Sequence, residues 1–372
     1  MKSENTNGEN PDFLTKQIIT YIGNKRALLG DIQEQVAAVQ KELGKRRLVC
    51  ADLFSGSGIV ARLLKASSKK IYANDLESYS CLLNDCYLTN KADFPKKEYN
   101  ECRSEILRAV SKKKIQGIIC QNYAPKDDGD IKAGERVFYT RQNALLLDSY
   151  RHFIEKICPK EMQKFFLAPL ITEASVHVNT SGVFKGFYKD KNTGVGCFGG
   201  AGKNALKRIL GEVQLNEPVL SEFDSERELF QEDSGVLAQR LKGLDLAYLD
   251  PPYNQHPYGS NYFMLNLILK NKIDAELSPI SGIVQNWNHS QFNKAKLSLS
   301  ALEGIVAALD SKFAIVSYNS EGFISKEEMQ AALKKYGRLK CVQIPYNAFR
   351  GSRNLSGRDI HVREYLFVLK KD

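Results

Sequence analysis

At 372 residues the chain is long enough for two domains, or for one large domain carrying an insertion. A hydrophobic share of 43% and a charged share of 26% are those of an ordinary globular protein, and the net charge of +10 fits a polyanionic partner without requiring one. The eight cysteines are scattered and form no CxxC pair, which argues against a metal site and a disulfide scaffold and fits a reducing cytoplasm.

The opening MKSENTNGENPDF is polar and lacks an apolar core, so residues 1–13 are expected as a disordered tail rather than a signal peptide. No apolar run approaches the roughly 18 residues needed to cross a bilayer, so no membrane partner is expected. Tyr21-Ile22-Gly23-Asn24-Lys25 reads as a loop, and Leu28, Leu29, Ile32 and Val36 follow at helical spacing. Leu48 to Leu53 form a compact apolar strand, Phe54-Ser55-Gly56-Ser57-Gly58 a Gly-rich turn, and Ile59, Val60, Leu63 and Leu64 the start of a helix. Strand, Gly-rich turn and helix open a doubly wound nucleotide-binding sheet, although this turn lacks a third glycine at dinucleotide spacing and serves equally well as a structural bend. Lys70-Ile71-Tyr72-Ala73 read as a second strand ending at Asn74-Asp75. An acidic residue about 20 positions after the glycines suits two ribose hydroxyls, the alternative being a helix N-cap.

From about Asp93 to Asp224 the strand–helix rhythm breaks. KKEYNECRSEILRAVSKKKIQG is helical and basic, APKDDGDIKAGE is a polar loop, and RQNALLLDSYRHFIEKI is an amphipathic helix with Leu145, Leu146, Tyr150, Phe153, Ile154 and Ile157 on its apolar side. VNTSGVFKGFYKDKNTGVGCFGGAGKNALKR interleaves glycine, aromatics and lysines. Composition favours a solvated hairpin there. The other reading gives Lys185 and Lys189 to phosphates and the neighbouring rings to bases.

The sheet pattern then resumes. LFQEDSGVLAQRL places Glu232-Asp233 between a short apolar piece and a helix. In LAYLDPPYNQHPYGSNYF a buried strand runs into two consecutive prolines, which forbid both helix and central strand. Asp250 therefore stands at a carboxyl strand end, where open α/β sheets keep their ligands. Asp250, Pro251, Pro252 and Tyr253 present a carboxylate, fixed carbonyls and a ring together. The carboxylate and the Pro251 carbonyl can accept both N–H bonds of a planar amino group while Tyr253 stacks on its ring; a Pro-Pro turn with a capping Asp is the alternative. SKFAIVSYN is a further strand, and LKCVQIPYN and REYLFVLKK read as a closing antiparallel pair. Between them Arg350, Arg353, Arg358 and Arg363 lie in a Gly/Ser-rich loop, suited to phosphate or simply an exposed basic hairpin.

DLFSGSG early and LDPPY late resemble the two marks of the S-adenosylmethionine-dependent amino-methyltransferases of DNA, an FxGxG loop and a D/N/S-PP-Y/F/W loop. The order YIGNK, DLFSGSG, ANDLE, a long non-sheet region and LDPPY resembles the amino-alpha group, which includes the Dam-like adenine methylases. RVFYTRQNALLLDSYRHFIEKI, VNTSGVFKGFYK, DPPYNQHPYGSNYFMLN and SYNSEGF are similar to the modification methylases of the FokI type; together these stretches span most of residues 14–370.

The resemblance implies an α/β fold, a doubly wound mixed seven-stranded methyltransferase (Rossmann-like) sheet. Residues 14–91 and 227–372 would form the catalytic domain, which binds S-adenosyl-L-methionine. Residues 92–226 would be an inserted, mainly helical target-recognition region. Tyr21 and Lys25 would lie near the methionine end of the cofactor, with Lys25 beside its carboxylate. Asp52, Phe54, Gly56 and Gly58 would form the wall under it, Asp75 would take the ribose hydroxyls and Asp233 would sit near the adenine. Asp250 to Tyr253 would hold a flipped adenine, and Asn254 to Phe263 would lie against the DNA. Lys185, Lys189, Arg350, Arg353 and Arg358 would contact DNA. The implied activity is site-specific methylation of the adenine 6-amino group in double-stranded DNA, as the modification arm of a restriction-modification system with a cognate restriction endonuclease. Alternatives are methylation of the cytosine exocyclic amino group, methylation of RNA, or a degenerate methylase that only binds nucleic acid. Carbon-5 methylation of cytosine needs a Pro-Cys nucleophile, and the chain has only the reverse, Cys158-Pro159.

Overall fold

The computed structural model describes residues 8–200, 202–347 and 361–372. In chain order the helices are α1 (Pro11–Thr15), α2 (Leu29–Leu43), α3 (Ile59–Ser67), α4 (Ser78–Tyr87), α5 (Lys96–Lys112), α6 (Ile118–Asn122), α7 (Arg141–Ile157), α8 (Lys164–Val176), α9 (Leu206–Leu210), α10 (Ser234–Arg240), α11 (Tyr258–Asn261), α12 (Phe263–Lys270), α13 (Ala295–Ala308) and α14 (Lys326–Leu333). The strands are β1 (Leu48–Asp52), β2 (Ser68–Asn74), β3 (Glu226–Phe230), β4 (Leu244–Leu249), β5 (Ser311–Asn319), β6 (Gly337–Asn347) and β7 (His361–Lys371).

The strands form one seven-stranded sheet in the order β3-β2-β1-β4-β5-β7-β6. β1 to β5 pair in parallel, while β7 is antiparallel to both β5 and β6. The expected mixed seven-stranded α/β sheet is therefore the observed one. Alternation along the central strands sends side chains to two faces. Cys50, Leu246, Tyr248 and Phe313 pack on one face with α2 and α3; Ala51, Ala247, Leu249 and Ala314 pack on the other with α10, α13 and α14. β4 is buried at every position, as a parallel strand covered on both faces must be. Strand order reverses between β1 and β4, so the connections leaving them diverge and open a crevice at their carboxyl ends. Asp52 lies opposite Tyr248 in that register, two residues before Asp250.

Asn10 and Phe13 do not belong to the tail expected for residues 1–13: Asn10 caps α1, Phe13 is fully buried, and Arg62 donates to the Phe13 carbonyl. The Glu9 carboxylate accepts from the Ser221 hydroxyl at 2.5 Å and the Glu222 N–H at 2.8 Å, so this polar segment is held by hydrogen bonds and one aromatic anchor. The helical span 92–226 also shares its core with helices that flank the sheet. Tyr79 and Leu83 of α4 and Met264, Leu265 and Ile268 of α12 share one apolar cluster with Leu146 and Leu147 of α7 and Phe166 and Leu170 of α8. α8 is apolar on nearly all sides and central to that cluster, and so carries little of the one-sided pattern that marked α7.

Candidate active site

The loop after β1 folds tightly because Gly56 and Gly58 take φ of +52° and +76°. A Cβ on Gly56 would sit 2.8 Å from the Tyr21 ring, and one on Gly58 would sit 2.9 Å from Asn84 Oδ1. Asp75 closes the turn: its Oδ2 accepts the Gly56 N–H at 2.7 Å and its Oδ1 the Glu77 N–H at 2.9 Å. Asn74 ties three strand ends together, donating to the carbonyls of Leu53 and Glu232, both at 3.1 Å. The Asp233 carboxylate caps α10 through the N–H groups of Gly235 and Val236. Thus Asp75 and Asp233 both make the backbone contacts of structural acids, and both also line one cavity with Asp52, Phe54, Gly56, Asp250, Tyr21 and Lys25.

Asp52 is 1% exposed, and its Oδ2 has no hydrogen-bond partner among the described residues. Burial, reinforced by the charge of Asp250, holds its carboxyl well above the usual range. A buried acceptor left open in this way costs free energy unless a ligand donor meets it. Burial likewise raises Asp75, and pushes Glu77 up to about 7 even though Asn266 donates to it at 2.6 Å.

Lys25 stands between this cavity and a larger open cleft of about 670 Å³, and lines both. Its ammonium is 3.0 Å from Asp250 Oδ1, 3.2 Å from Glu364 Oε1 and 3.2 Å from the Gly23 carbonyl. An ammonium has three N–H bonds, and these three acceptors match them. Burial works against the charge, but Asp250 and Glu364 outweigh it and hold Lys25 well above its ordinary pKa. Lys25 is therefore committed to carboxylates of the protein; the cofactor-carboxylate contact expected for it would require giving one up. Burial pushes the Asp250 carboxyl up to about 6; Lys25 pulls it down and Glu364 pushes it up. Tyr253 lies on the cleft side, edge-on to Tyr318 at 6.4 Å, and its carbonyl accepts the Phe323 N–H. Asp250 and Tyr253 thus face the two openings from one rigid turn.

The YIGNK loop is gripped by rings. Tyr21 stacks on Tyr258 and Tyr262 at centroid distances of 5.0 and 4.8 Å. Tyr258 donates its hydroxyl to the Ile22 carbonyl at 3.0 Å, and the Ile22 N–H donates to the Tyr262 hydroxyl at 2.7 Å. Two rings of the segment expected to lie against DNA thus face inward; the i,i+4 spacing of these tyrosines was the available signal. The stretch 288–293 forms a further wall that the sequence did not reveal. Asn288 donates to the Leu76 carbonyl at 2.8 Å, Phe292 meets Phe54 edge-on at 5.2 Å, and Asn293 donates to the Asn254 carbonyl at 2.8 Å.

Lys185 and Lys189 sit on the 184–196 turn, which closes with a single bridge between Lys189 and Gly196. Lys185 is half-buried, its carbonyl accepts the Ser281 hydroxyl at 2.7 Å, and its charge, after burial, lowers the pKa of His256. The turn therefore adjoins the segment after Tyr253. Lys189 lies over the Phe187 ring at 5.1 Å. Arg350, Arg353 and Arg358 lie outside the described residues.

Residues 21–332 match the family described as D12 class N6 adenine-specific DNA methyltransferase. The chain is 28% identical over 363 residues to the type II methyltransferase M.NlaIII of Neisseria lactamica, covering 95% of this chain and 99% of that one. It is 29% identical over 355 residues to M.CviAII of Paramecium bursaria Chlorella virus 1, covering 94% and 98%. M.FokI of Planomicrobium okeanokoites is 24% identical over 368 residues, covering 95% of this chain and 52% of its own length. The family acts on adenine and on DNA, which decides against the cytosine and RNA alternatives and against a binder without activity. The chain belongs to the D12 class of N6 adenine-specific DNA methyltransferases.

Proposed function

We propose that the cavity beside β1 takes S-adenosyl-L-methionine and that the cleft on the other side of Lys25 admits an adenine flipped out of duplex DNA. The observation that carries this reading is the buried, unpartnered Oδ2 of Asp52 at the reversal of strand order, on a residue that lines a cavity together with Asp250. An acceptor there fits the ammonium of the cofactor's methionine end. Asp75 and Glu77 offer carboxylate oxygens to ribose hydroxyls, and the second oxygen of Asp233 is available to the adenine end.

When bound, the cofactor supplies an electrophilic methyl group on a sulfonium. The protein's part is to bind, orient and exclude water. The amino lone pair of adenine is delocalised into its ring. Lys25 occupies Asp250 Oδ1 and leaves Oδ2 to accept one amino N–H, while the Pro251 carbonyl accepts the other. Both contacts favour a pyramidal nitrogen with its lone pair facing the cavity. Tyr253 replaces the stacking that the base loses on leaving the duplex. Lys185 and Lys189 serve the DNA backbone from the adjoining turn. The residue span 92–226 reads the target sequence, and a cognate restriction endonuclease is the expected companion. The eight free thiols, unpaired in the structure, support a reducing cytoplasm.

The test uses purified protein, cofactor labelled in its methyl group and duplex DNA. Label should appear on the adenine 6-amino group, and Asp250→Ala should lose about 10³-fold or more in rate while still binding cofactor. Transfer by Asp250→Ala at the wild-type rate would contradict the assigned roles.

A further inference from the structure

Glu364 has no place in the motifs that identify the chain, and it lies beyond residues 21–332, where the family match ends. Nevertheless it is 2% exposed, in the middle of a sheet, on β7 opposite Asn319 of β5 and Ile344 of β6. A carboxylate in that position is costly unless fully partnered. Its Oε1 accepts the Ser317 hydroxyl at 2.9 Å and meets Lys25 at 3.2 Å; its Oε2 accepts from the Asn319 side-chain amide at 3.2 Å. Ser317 and Asn319 both lie at the carboxyl end of β5, so the sheet itself fixes this carboxylate.

We infer that Glu364 is a positioning residue for methyl transfer: anchored by Ser317 and Asn319, it holds the Lys25 ammonium midway between two carboxylates and so fixes the orientation and basicity of Asp250. Lys25 could instead form a full ion pair with Asp250 alone. That pair would be tighter, and the carboxylate a weaker acceptor for the amino N–H. Sharing the ammonium with Glu364 leaves more negative charge on Asp250. The groups facing Asp250 are Lys25, Glu364, Asp52, Tyr248 and Tyr258. Of these, Glu364 alone both repels the Asp250 charge and holds its counter-ion. The inference rests on the role of Asp250 proposed above.

The experiment compares wild type, Glu364→Gln, Glu364→Asp and Asp250→Ala, full-length, for cofactor binding, single-turnover methyl transfer to duplex DNA, and the pH dependence of that rate. Glu364→Gln keeps the shape and removes the charge. It should bind cofactor within about twofold of wild type, lose about 10- to 100-fold in transfer rate, and move the acid limb of the pH profile down by about 1 unit as a like charge disappears. Glu364→Asp keeps the charge but falls short of Lys25. It should lose rate with its acid limb near that of wild type, and it carries the test if Glu364→Gln does not fold. A folded Glu364→Gln, or in its absence Glu364→Asp, with the wild-type rate and pH profile would overturn the inference. If Asp250→Ala is inactive in that same comparison, the proposed site stands and only Glu364 is excluded; full activity in Asp250→Ala overturns both.

Discussion

Two carboxylates at the strand-order reversal are held in an uncomfortable state, and each gives a residue-level prediction. The Asp250 carboxyl, pushed up to about 6 by burial, accepts an N–H bond most strongly when ionised. Transfer should therefore be fully developed above pH 7 and decline as pH falls through about 6, measured as single-turnover rate with saturating cofactor. Asp52 is buried with one oxygen unpartnered, so its charge destabilises the free protein. Its folded-state pKa is raised above the unfolded value, so the folded chain binds more protons once pH exceeds about 4. That contribution lowers stability as pH rises. Asp52→Asn should accordingly stabilise the cofactor-free protein at pH 7.5 by about 1 kcal/mol or more, read as a higher Tm, while weakening cofactor binding. Thermal denaturation with and without S-adenosyl-L-methionine reads both effects. Lower stability together with unchanged cofactor affinity would count against the assigned role.

At the scale of elements, the site is a set of turns fastened to strand ends. The turn between β1 and α3 depends on Gly56, whose φ of +52° and close approach to the Tyr21 ring leave no room for a methyl group. Gly56→Ala should fold, because the strain is confined to one turn, yet bind cofactor about tenfold or more weakly, as calorimetry would show. The YIGNK loop depends on Tyr262. Tyr262→Phe leaves the Ile22 N–H without its acceptor, at a cost of about 1–2 kcal/mol, and should lower transfer more than overall stability suggests. These fastenings explain what the sequence could and could not show. FSGSG, Asp75 and DPPY were legible because proline and glycine punctuate backbone locally and strand ends follow from apolar runs. Asn288, Phe292 and Glu364 were not, because they reach the site from segments distant in sequence, and Tyr262, though close to DPPY, was expected against DNA instead. Glu364 did leave a trace, as an acidic residue inside an otherwise apolar closing strand. Asp75 and Asp233 show that one carboxylate can hold a turn or a helix end and still face a cavity.

At the scale of the whole molecule, the α/β class was legible in short apolar strands alternating with helices and the antiparallel end in the last two strands, whereas the seven-stranded sheet rested on the resemblance and the strand order came from the structure. The helical region was harder. Its helix α8 is buried on nearly every side, and it shares one core with α4 and α12, so no break in composition marks where the span 92–226 begins or ends. Opposite the site, Asp245 at the start of β4 anchors the sheet, accepting from Lys45 at 2.7 Å, Lys312 at 3.1 Å and the Val49 N–H at 3.1 Å. Burial raises its pKa, but these partners outweigh that and leave it below the ordinary value. Its contribution to stability is present above the unfolded pKa, near 4, and is lost as pH falls below that. Asp245→Asn should cost about 1–2 kcal/mol at pH 7 with transfer per folded molecule unchanged, as urea denaturation and rate measurement would show.

The measurement that bears most directly on the whole account is base-resolved mapping of modified nucleotides in DNA from cells expressing this chain. N6-methyladenine should stand at essentially every copy of one short sequence and disappear with Asp250→Ala. Methyl groups on cytosine, or on RNA with the DNA unmodified, would contradict it.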